Sequence, residues 1–234
     1  MKIDKYFYND QYKKNQESKY IFDHSWYKYF LKYAKWRNHI VADYFLKYLT
    51  KNDLKILDLW CWSWWLYDLI KWWHYNYTGM DISDYNLWKI IPHKNDTAKL
   101  IEKNLNDDLV EIDNWTQDIV INISTIEYLF DPYHFINEIY KKLKPWWVFI
   151  LHTMNLAFLP RRLQLLFGNL PTFNNAIGWQ WGILHNFTYS TLKNLLIESW
   201  FEITAFTNSW LLCNLRTWWP WLLCGDLVFV CKKR

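Results

Sequence analysis

Two carboxylates stand where apolar runs end. Lys55-Ile56-Leu57-Asp58-Leu59 reads as a buried strand with Asp58 near its close, and Tyr75-Asn76-Tyr77-Thr78-Gly79-Met80-Asp81 reads as a second strand ending in Asp81. An acid that ends the second strand, about twenty residues past the turn that follows the first, can accept from both hydroxyls of a ribose. In a sheet built of alternating strands and helices the ligand lies beyond the carboxyl ends of the strands, against the first turn and helix. Asp58 and the backbone of Trp60, Cys61, Trp62, Ser63 and Trp64 are therefore the expected cradle, with Ile82 continuing the edge after Asp81.

The elements that would position these acids follow from periodicity. A helix is predicted at 35–50, with Ala42, Phe45, Leu46 and Leu49 on one side, and another after the first turn, with apolar positions Leu66, Leu69 and Ile70. Asp84 to Ile91 reads as a short helix stopped by Pro92. Strands follow near Thr97–Glu102 and at Asp118–Ser124, separated by an Asn- and Asp-rich loop at Asn104–Asn114. Asp131-Pro132 is a helix start, Asp as N-cap and Pro at the first helical position, for a helix running to Leu143. A fifth strand at Trp147–Thr153, a helical insertion at 157–168, a helix at Tyr189–Ser199 and last strands at 201–207 and 226–232 complete the chain. The alternation predicts an α/β fold: a doubly wound, mostly parallel, seven-stranded Rossmann-like sheet with an N-terminal helical cap and an insertion after strand 5. Residues 1–50 are read as the cap and 51–234 as the ligand-binding domain.

Composition narrows the class. The chain has 234 residues, 52% of them hydrophobic and 21% charged, with a formal net charge of +4. That suits a domain with a real core and excludes a disordered chain. No run of about 18 uncharged apolar residues is present, so no transmembrane segment is expected. The charge is too weak to argue for nucleic acid. Met1-Lys2-Ile3-Asp4-Lys5-Tyr6 lacks the apolar core of a signal peptide, and a cytoplasmic location is expected. Cys61, Cys213, Cys224 and Cys231 form no Cys-x-x-Cys pair, so neither a disulfide framework nor a metal site is indicated.

One ratio is abnormal: 19 Trp against 5 Gly. An average chain carries roughly 7% Gly, about 16 in this length. The tryptophans crowd at a tight strand-to-helix turn, where bulky side chains are least tolerated and glycines most expected. With Gly in place of Trp60, Trp62 and Trp64, the first segment reads Ile-Leu-Asp-Leu-Gly-Cys-Gly-Ser-Gly. It then resembles the first motif of class I S-adenosylmethionine-dependent methyltransferases at every position. The same exchange turns Lys144-Pro145-Trp146-Trp147-Val148-Phe149-Ile150 into that family's turn leading into its fifth strand. It also turns Glu198-Ser199-Trp200-Phe201-Glu202-Ile203 into the usual lead into the sixth. Three segments depart in the same way, so many Trp are expected to stand where the natural protein has Gly, the alternative being a deliberately altered or decayed sequence. A gene in which UGA encodes glycine, translated by a table that reads UGA as tryptophan, is sufficient, and the richness in Lys, Asn, Ile and Tyr suits an AT-rich genome. Reverting about a dozen Trp brings Gly to roughly 17, the ordinary proportion. Trp181 follows Gln180 in a pair that related sequences also carry, and Trp26 and Trp210 have no assignment.

The resemblance implies S-adenosyl-L-methionine as cofactor, with Asp58 and the turn holding its amino-acid part and Asp81 its ribose. It places Asn104 near the adenine amino group, and Ser124 and Thr125 opposite the reacting methyl group, with Tyr128 where a His is common. Asp131-Pro132-Tyr133 lacks the second proline of the amino-methylating nucleic-acid enzymes and reads as helix capping. Met154-Asn155, Arg162–Gly168, Gln180-Trp181 and His185-Asn186-Phe187-Thr188-Tyr189 are similar to segments of methyltransferase-like proteins associated with methionine biosynthesis. From that segment His185 is the candidate base for an acceptor that needs deprotonation. Arg161 and Arg162 beside an apolar helix would meet an acidic substrate or an anionic membrane surface, or form a solvated edge. The expected activity is in-line methyl transfer to a small-molecule acceptor, most of the acceleration coming from alignment and exclusion of water. With three indoles at 60, 62 and 64 the chain as written is expected to bind the cofactor poorly. Two other readings stay open: a nicotinamide-dependent oxidoreductase, since 60, 62 and 65 also satisfy a G-x-G-x-x-G spacing, and a non-catalytic methyltransferase-like partner of another protein.

Overall fold

The computed structural model describes residues 37–48, 52–61, 66–67, 75–90, 98–169, 171, 183–209 and 213–234. Most of the predicted cap, Trp62, Ser63, Trp64, Leu69, Ile70, Pro92 and Trp181 lie outside them.

Seven strands form one sheet in the order β3-β2-β1-β4-β5-β7-β6. They are β1 Leu54–Leu59, β2 Tyr75–Asp81, β3 Lys99–Glu102, β4 Gln117–Ile123, β5 Leu143–Met154, β6 Phe201–Thr207 and β7 Asp226–Lys233. Pairs from β3 to β5 are parallel, whereas β7 runs antiparallel to both β5 and β6. The order reverses between β1 and β4, so the carboxyl ends of these two strands flank the crevice where doubly wound sheets take ligands.

The central strands are apolar on both faces, and their alternation sorts side chains between two cores. Leu57, Leu59, Val120 and Phe149 face one core, closed by Phe135, Ile136 and Ile139 of the Pro132–Lys142 helix and Leu192, Leu195 and Leu196 of the Tyr189–Glu198 helix. Leu54, Ile56, Ile119, Ile121 and Ile150 face the other, covered by Ile40, Val41, Ala42 and Phe45 of the Arg37–Lys47 helix. Leu46, expected on that buried side, is 39% exposed instead. The Asp131 side chain accepts from the His134 backbone N–H at 3.0 Å with Pro132 in the first turn, as its sequence predicts, a cap worth about 1 kcal/mol.

The Lys144–Trp147 segment, predicted as a turn before the fifth strand, lies inside a longer β5. Gln117 pairs with Leu143 and Ile119 with Val148, so two residues of advance on β4 meet five on β5, and the surplus bulges.

Among the described residues, six that are not glycine have left-handed backbone: Asp53, Trp60, Trp115, Ser124, Trp146 and Trp200. Four are tryptophan, and three of these, at φ 71°, 68° and 67°, come one from each segment in which glycine was expected. For an L-residue this conformation costs roughly 1 kcal/mol, and glycine takes it freely. The end of the Tyr189–Glu198 helix makes the comparison directly. Trp200 N–H reaches the Ile197 carbonyl and Ser199 N–H the Leu195 carbonyl, each at 3.0 Å. After the Leu159–Leu166 helix, Gly168 N–H reaches Leu165 at 3.0 Å and Phe167 N–H reaches Leu163 at 3.1 Å, with Gly168 at φ 74°. The same helix-ending device is built once with Gly and once with Trp.

Candidate functional site

The first turn folds as the two acids require. Both Trp60 N–H and Cys61 N–H donate to the Met80 carbonyl, at 2.7 and 2.9 Å, which ties the turn after β1 to the end of β2. The Cys61 thiol then rests against β2 at Gly79, where an added Cβ would come within 2.9 Å of Sγ. Gly79 is a position at which the close approach itself demands glycine.

Asp58 is buried at 2% exposure and accepts from the Tyr77 hydroxyl at 2.7 Å. Burial pushes its carboxyl up to about 7, against the lowering effect of that hydrogen bond. Asp81 is fully buried; its Oδ1 accepts from Ser83 N–H at 2.8 Å, and both carboxylate oxygens lie 3.3 Å from Asn86 Nδ2. The acids thus lie side by side at the ends of neighbouring strands, Asp58 paired with Gly79 in the register and Asp81 two residues further along β2.

Between the acids and the rest of the edge stands Trp60. Its indole stacks on Tyr128, centroids 5.8 Å apart and planes 17° apart. On one side is a cleft lined by Trp60, Ile82, Asn104, Leu105, Tyr128 and Phe130. On the other is a cleft lined by Trp60, Arg37, Asn38, Asp58, Cys61 and Ile123. Asn104 accepts from Asn106 N–H at 3.1 Å, so its side chain also shapes the loop that walls the first cleft. Trp60, Cys61, Asp58, Ile82 and Asn104 are therefore brought together around these two clefts, and Asp81 lies behind them.

S-adenosylmethionine joins an adenosine to an amino acid through a sulfonium. An apolar wall with an amide in one cleft and an acid in the other fit its two ends; the Trp60 indole occupies the place between. Residue 60 already holds the torsion that glycine takes freely, so glycine there removes the ring without moving the chain. With tryptophan at 60 in the lining of both clefts, the residues present do not fit the group.

Other predicted residues fall elsewhere. His185 Nε2 lies 3.3 Å from the Phe130 carbonyl, and its backbone N–H donates to Glu127 at 3.0 Å. Arg161 turns inward onto the carbonyls of Asn155 and Gly225, and burial pulls its guanidinium down to about 10. Arg162 donates to the carbonyls of Ala157 and Trp221. Arg161 fastens the insertion to its neighbours, whereas Arg162 makes its bonds while exposed at the solvated edge. Ser124, at the end of β4, accepts from Arg37 at 3.1 Å and lies 3.0 Å from His152 Nδ1.

Sequence reasoning missed three groups at this edge. Glu127 is buried, accepts from Thr153 Oγ1 at 3.0 Å, and is pushed up to about 7 by burial. The buried His152 and the half-buried Asp226 form a pair 3.0 Å apart. The available signal was a polar pair, His152-Thr153, directly after the apolar run Val148–Leu151 and still within the predicted fifth strand, which a fully buried strand does not otherwise carry. Among the described residues no helix is long and apolar enough to cross a membrane.

No family model and no curated protein matches the sequence. Solved structures do. An S-adenosylmethionine-dependent methyltransferase from Mesorhizobium loti is 17% identical over 84% of this chain and 97% of its own, with TM-score 0.60. Another from Methanosarcina mazei is 19% identical over 81% and 96%, with TM-score 0.61. The [4+2]-cyclase SpnF is 12% identical over 86% of each chain, also with TM-score 0.61. Strand order, the antiparallel β7 and these neighbours agree: the chain has the fold of the class I S-adenosylmethionine-dependent methyltransferases.

Proposed function

We propose that this protein is an S-adenosylmethionine-dependent methyltransferase acting on a small molecule, and that glycine is the natural residue at 60, 62, 64, 115, 146 and 200. One observation carries the reading: a left-handed residue 60 at the end of β1 separates two clefts that hold, between them, an acid and a largely apolar wall. When bound, the cofactor would supply an already activated methyl group. This chain's residues would do the rest. Asp58 would meet the ammonium of the amino-acid part and Ile82 and Asn104 the adenine, while Asp81, in its bonds to Ser83 and Asn86, would fix the ribose end. Such a site accelerates by alignment and by keeping water out.

Calorimetry with S-adenosylmethionine on the chain as written and on Trp60/Trp62/Trp64→Gly tests this. Binding confined to the glycine-bearing chain supports it, and equal affinity refutes it. A nicotinamide-dependent oxidoreductase predicts NADH binding instead, read by its fluorescence. SpnF, named a cyclase, favours a second reading in which the fold is kept without methyl transfer. Its signature is cofactor binding with no turnover of labelled donor on metabolite extracts.

A further inference from the structure

Three neighbouring strands bring a serine, a histidine and an aspartate into line. Ser124 follows β4 directly, His152 lies on β5 and Asp226 opens β7. Ser124 N–H donates to the His152 carbonyl at 2.9 Å, which fixes the serine against β5. Asp226 pairs with Met154 in the antiparallel register, and Met154 and His152 share a face of β5. The side chains meet accordingly: Ser124 Oγ lies 3.0 Å from His152 Nδ1, and His152 Nε2 lies 3.0 Å from Asp226 Oδ2. Asp226 is further held by the Ser209 backbone N–H at 2.8 Å and by the Ser209 hydroxyl. His152 is 1% exposed, whereas Ser124 and Asp226 are half-buried.

Ser124 also has the backbone of a nucleophile on a strained turn. It stands between a parallel strand and the helical turn Ile126–Tyr128, at φ 54°, a left-handed conformation that a non-glycine residue keeps only where its surroundings force it. A serine on such a strand-to-helix turn presents its hydroxyl at the end of the sheet. Asp226 is a carboxylate and only accepts, so His152 Nε2 carries the hydrogen between them. Burial keeps the imidazole below its ordinary range, which leaves Nδ1 bare at neutral pH to accept the Ser124 proton. Arg37 donates to Oγ at 3.1 Å and sets a positive charge beside it. The familiar triad puts Nε2 on the serine and Nδ1 on the acid; here the ring is turned round and the roles are the same.

We propose that Ser124, His152 and Asp226 form a serine-nucleophile triad that hydrolyses carboxylic esters with a short apolar acyl group. The activity needs water and no cofactor, so it stands or falls apart from the methyltransferase reading. Ser124 Oγ attacks the acyl carbon as its proton passes to His152 Nδ1, and the carbonyl pair moves onto oxygen beside Arg37. That pair returns, the bond from the acyl carbon to the alkoxy oxygen breaks, and the alcohol leaves with the proton from His152. Water then attacks the acyl-serine, gives its proton to Nδ1 and releases the acid, and the proton returns to Ser124 Oγ. Arg37 and Ile123, the residue before the nucleophile, line the neighbouring cleft with Leu66 and Trp60. Those apolar walls suit an alkyl chain, and the indole standing in the cleft limits its length. Ser124 and His152 are the catalytic residues; Asp226 is a positioning residue that fixes the tautomer of the ring and offsets the imidazolium charge.

The full chain is treated with a fluorophosphonate and its peptides are mapped by tandem mass spectrometry. Phosphonylation at Ser124, slowed about 100-fold in His152→Gln, is expected. No label at Ser124, or label spread evenly over the exposed serines, overturns the proposal. Turnover is read with p-nitrophenyl acetate and p-nitrophenyl palmitate. Acetate should be hydrolysed by the parent and fall to background in Ser124→Ala; faster hydrolysis of palmitate overturns the assigned acyl class. Ser124→Gly takes the left-handed torsion freely, so it should unfold no earlier than the parent and still lose the activity, which guards against variants that fail to fold. Activity kept in Ser124→Gly overturns the triad. Nitrogen NMR isolates Asp226: hydrogen on His152 Nε2 in the parent should move to Nδ1 in Asp226→Asn, whose amide can donate to Nε2, with phosphonylation slowed as well. Hydrogen on Nδ1 in the parent overturns the wiring, and hydrogen that stays on Nε2 in the variant overturns the role given to Asp226.

Discussion

The Trp60 indole lies nearly parallel to the Tyr128 ring, 17° between planes, at the point where the first turn meets the segment after β4. It is both a plug and a prop: it divides the cleft, and it contributes a ring stack worth about 0.5–1.5 kcal/mol. Trp60→Gly should therefore leave stability almost unchanged, because relief of the left-handed torsion, roughly 1 kcal/mol, offsets the lost stack. Urea midpoints check this, and a loss well beyond about 2 kcal/mol would mean that the indole belongs to the core.

At Trp146 and Trp200 nothing comparable opposes the torsion, since the side chains are 70% and 74% exposed. Trp146→Gly and Trp200→Gly should each raise stability by about 1 kcal/mol. Trp88, 68% exposed on the Asp84–Ile90 helix, is the control: Trp88→Gly should cost about 1 kcal/mol, because glycine loses more backbone freedom in a helix. Thermal unfolding of the three variants must give opposite signs for the turn and helix positions.

The codons at 60, 115, 146 and 200 are expected to be UGA, and the polypeptide made in its own organism to carry glycine there. Tandem mass spectrometry of that polypeptide is the direct check. UGG at these positions removes the translation account and leaves the torsions as strain carried by real tryptophans.

Asp58 gives a pH dependence with a definite sign. Its carboxyl is raised from 3.8 to about 7 in the folded chain, so its ionisation opposes folding increasingly as pH rises from about 4 to about 7, and fully above. Asp58→Asn keeps an acceptor for Tyr77 and should be more stable than the parent at pH 8 by of order 1–3 kcal/mol, the difference vanishing near pH 4. In the glycine-bearing chain, a cofactor ammonium beside Asp58 would favour the carboxylate, so binding at pH 7 should release protons. Calorimetry in buffers of different ionisation heat measures that release.

Asp226 has the opposite sign. Held at about 2, it contributes stability that is present above about pH 4 and lost as pH falls through 2. Asp226→Asn should lower stability by about 2–4 kcal/mol at neutral pH and converge on the parent in strong acid. Acid unfolding curves of the pair should therefore meet near pH 2.

Much of the frame was legible locally. Tyr75–Asp81 and Phe201–Thr207 are strands at their predicted bounds, because apolar and β-branched runs between breakers specify strands from within. The left-handed sites at 60, 146 and 200 were legible through a mismatch, indole rings in segments whose pattern calls for glycine. Trp115 carries the same torsion but was not singled out, since the Asn- and Asp-rich loop before it supplies no motif to violate. The bulge at Lys144–Trp147 was hidden because it depends on how far β4 advances against β5.

The sequence by itself determined the alternation of strands and helices, the two acids at strand ends and the places where only a hydrogen side chain suits the backbone, since each rests on residues within a few positions of one another. Tertiary structure alone decided that Trp60 falls between two clefts, that Arg161 turns inward, and that Arg37, Ser124, His152 and Asp226 meet. Those four come from a helix, the end of β4, β5 and an antiparallel β7, and only the pairing of strands across the sheet sets the distances between them.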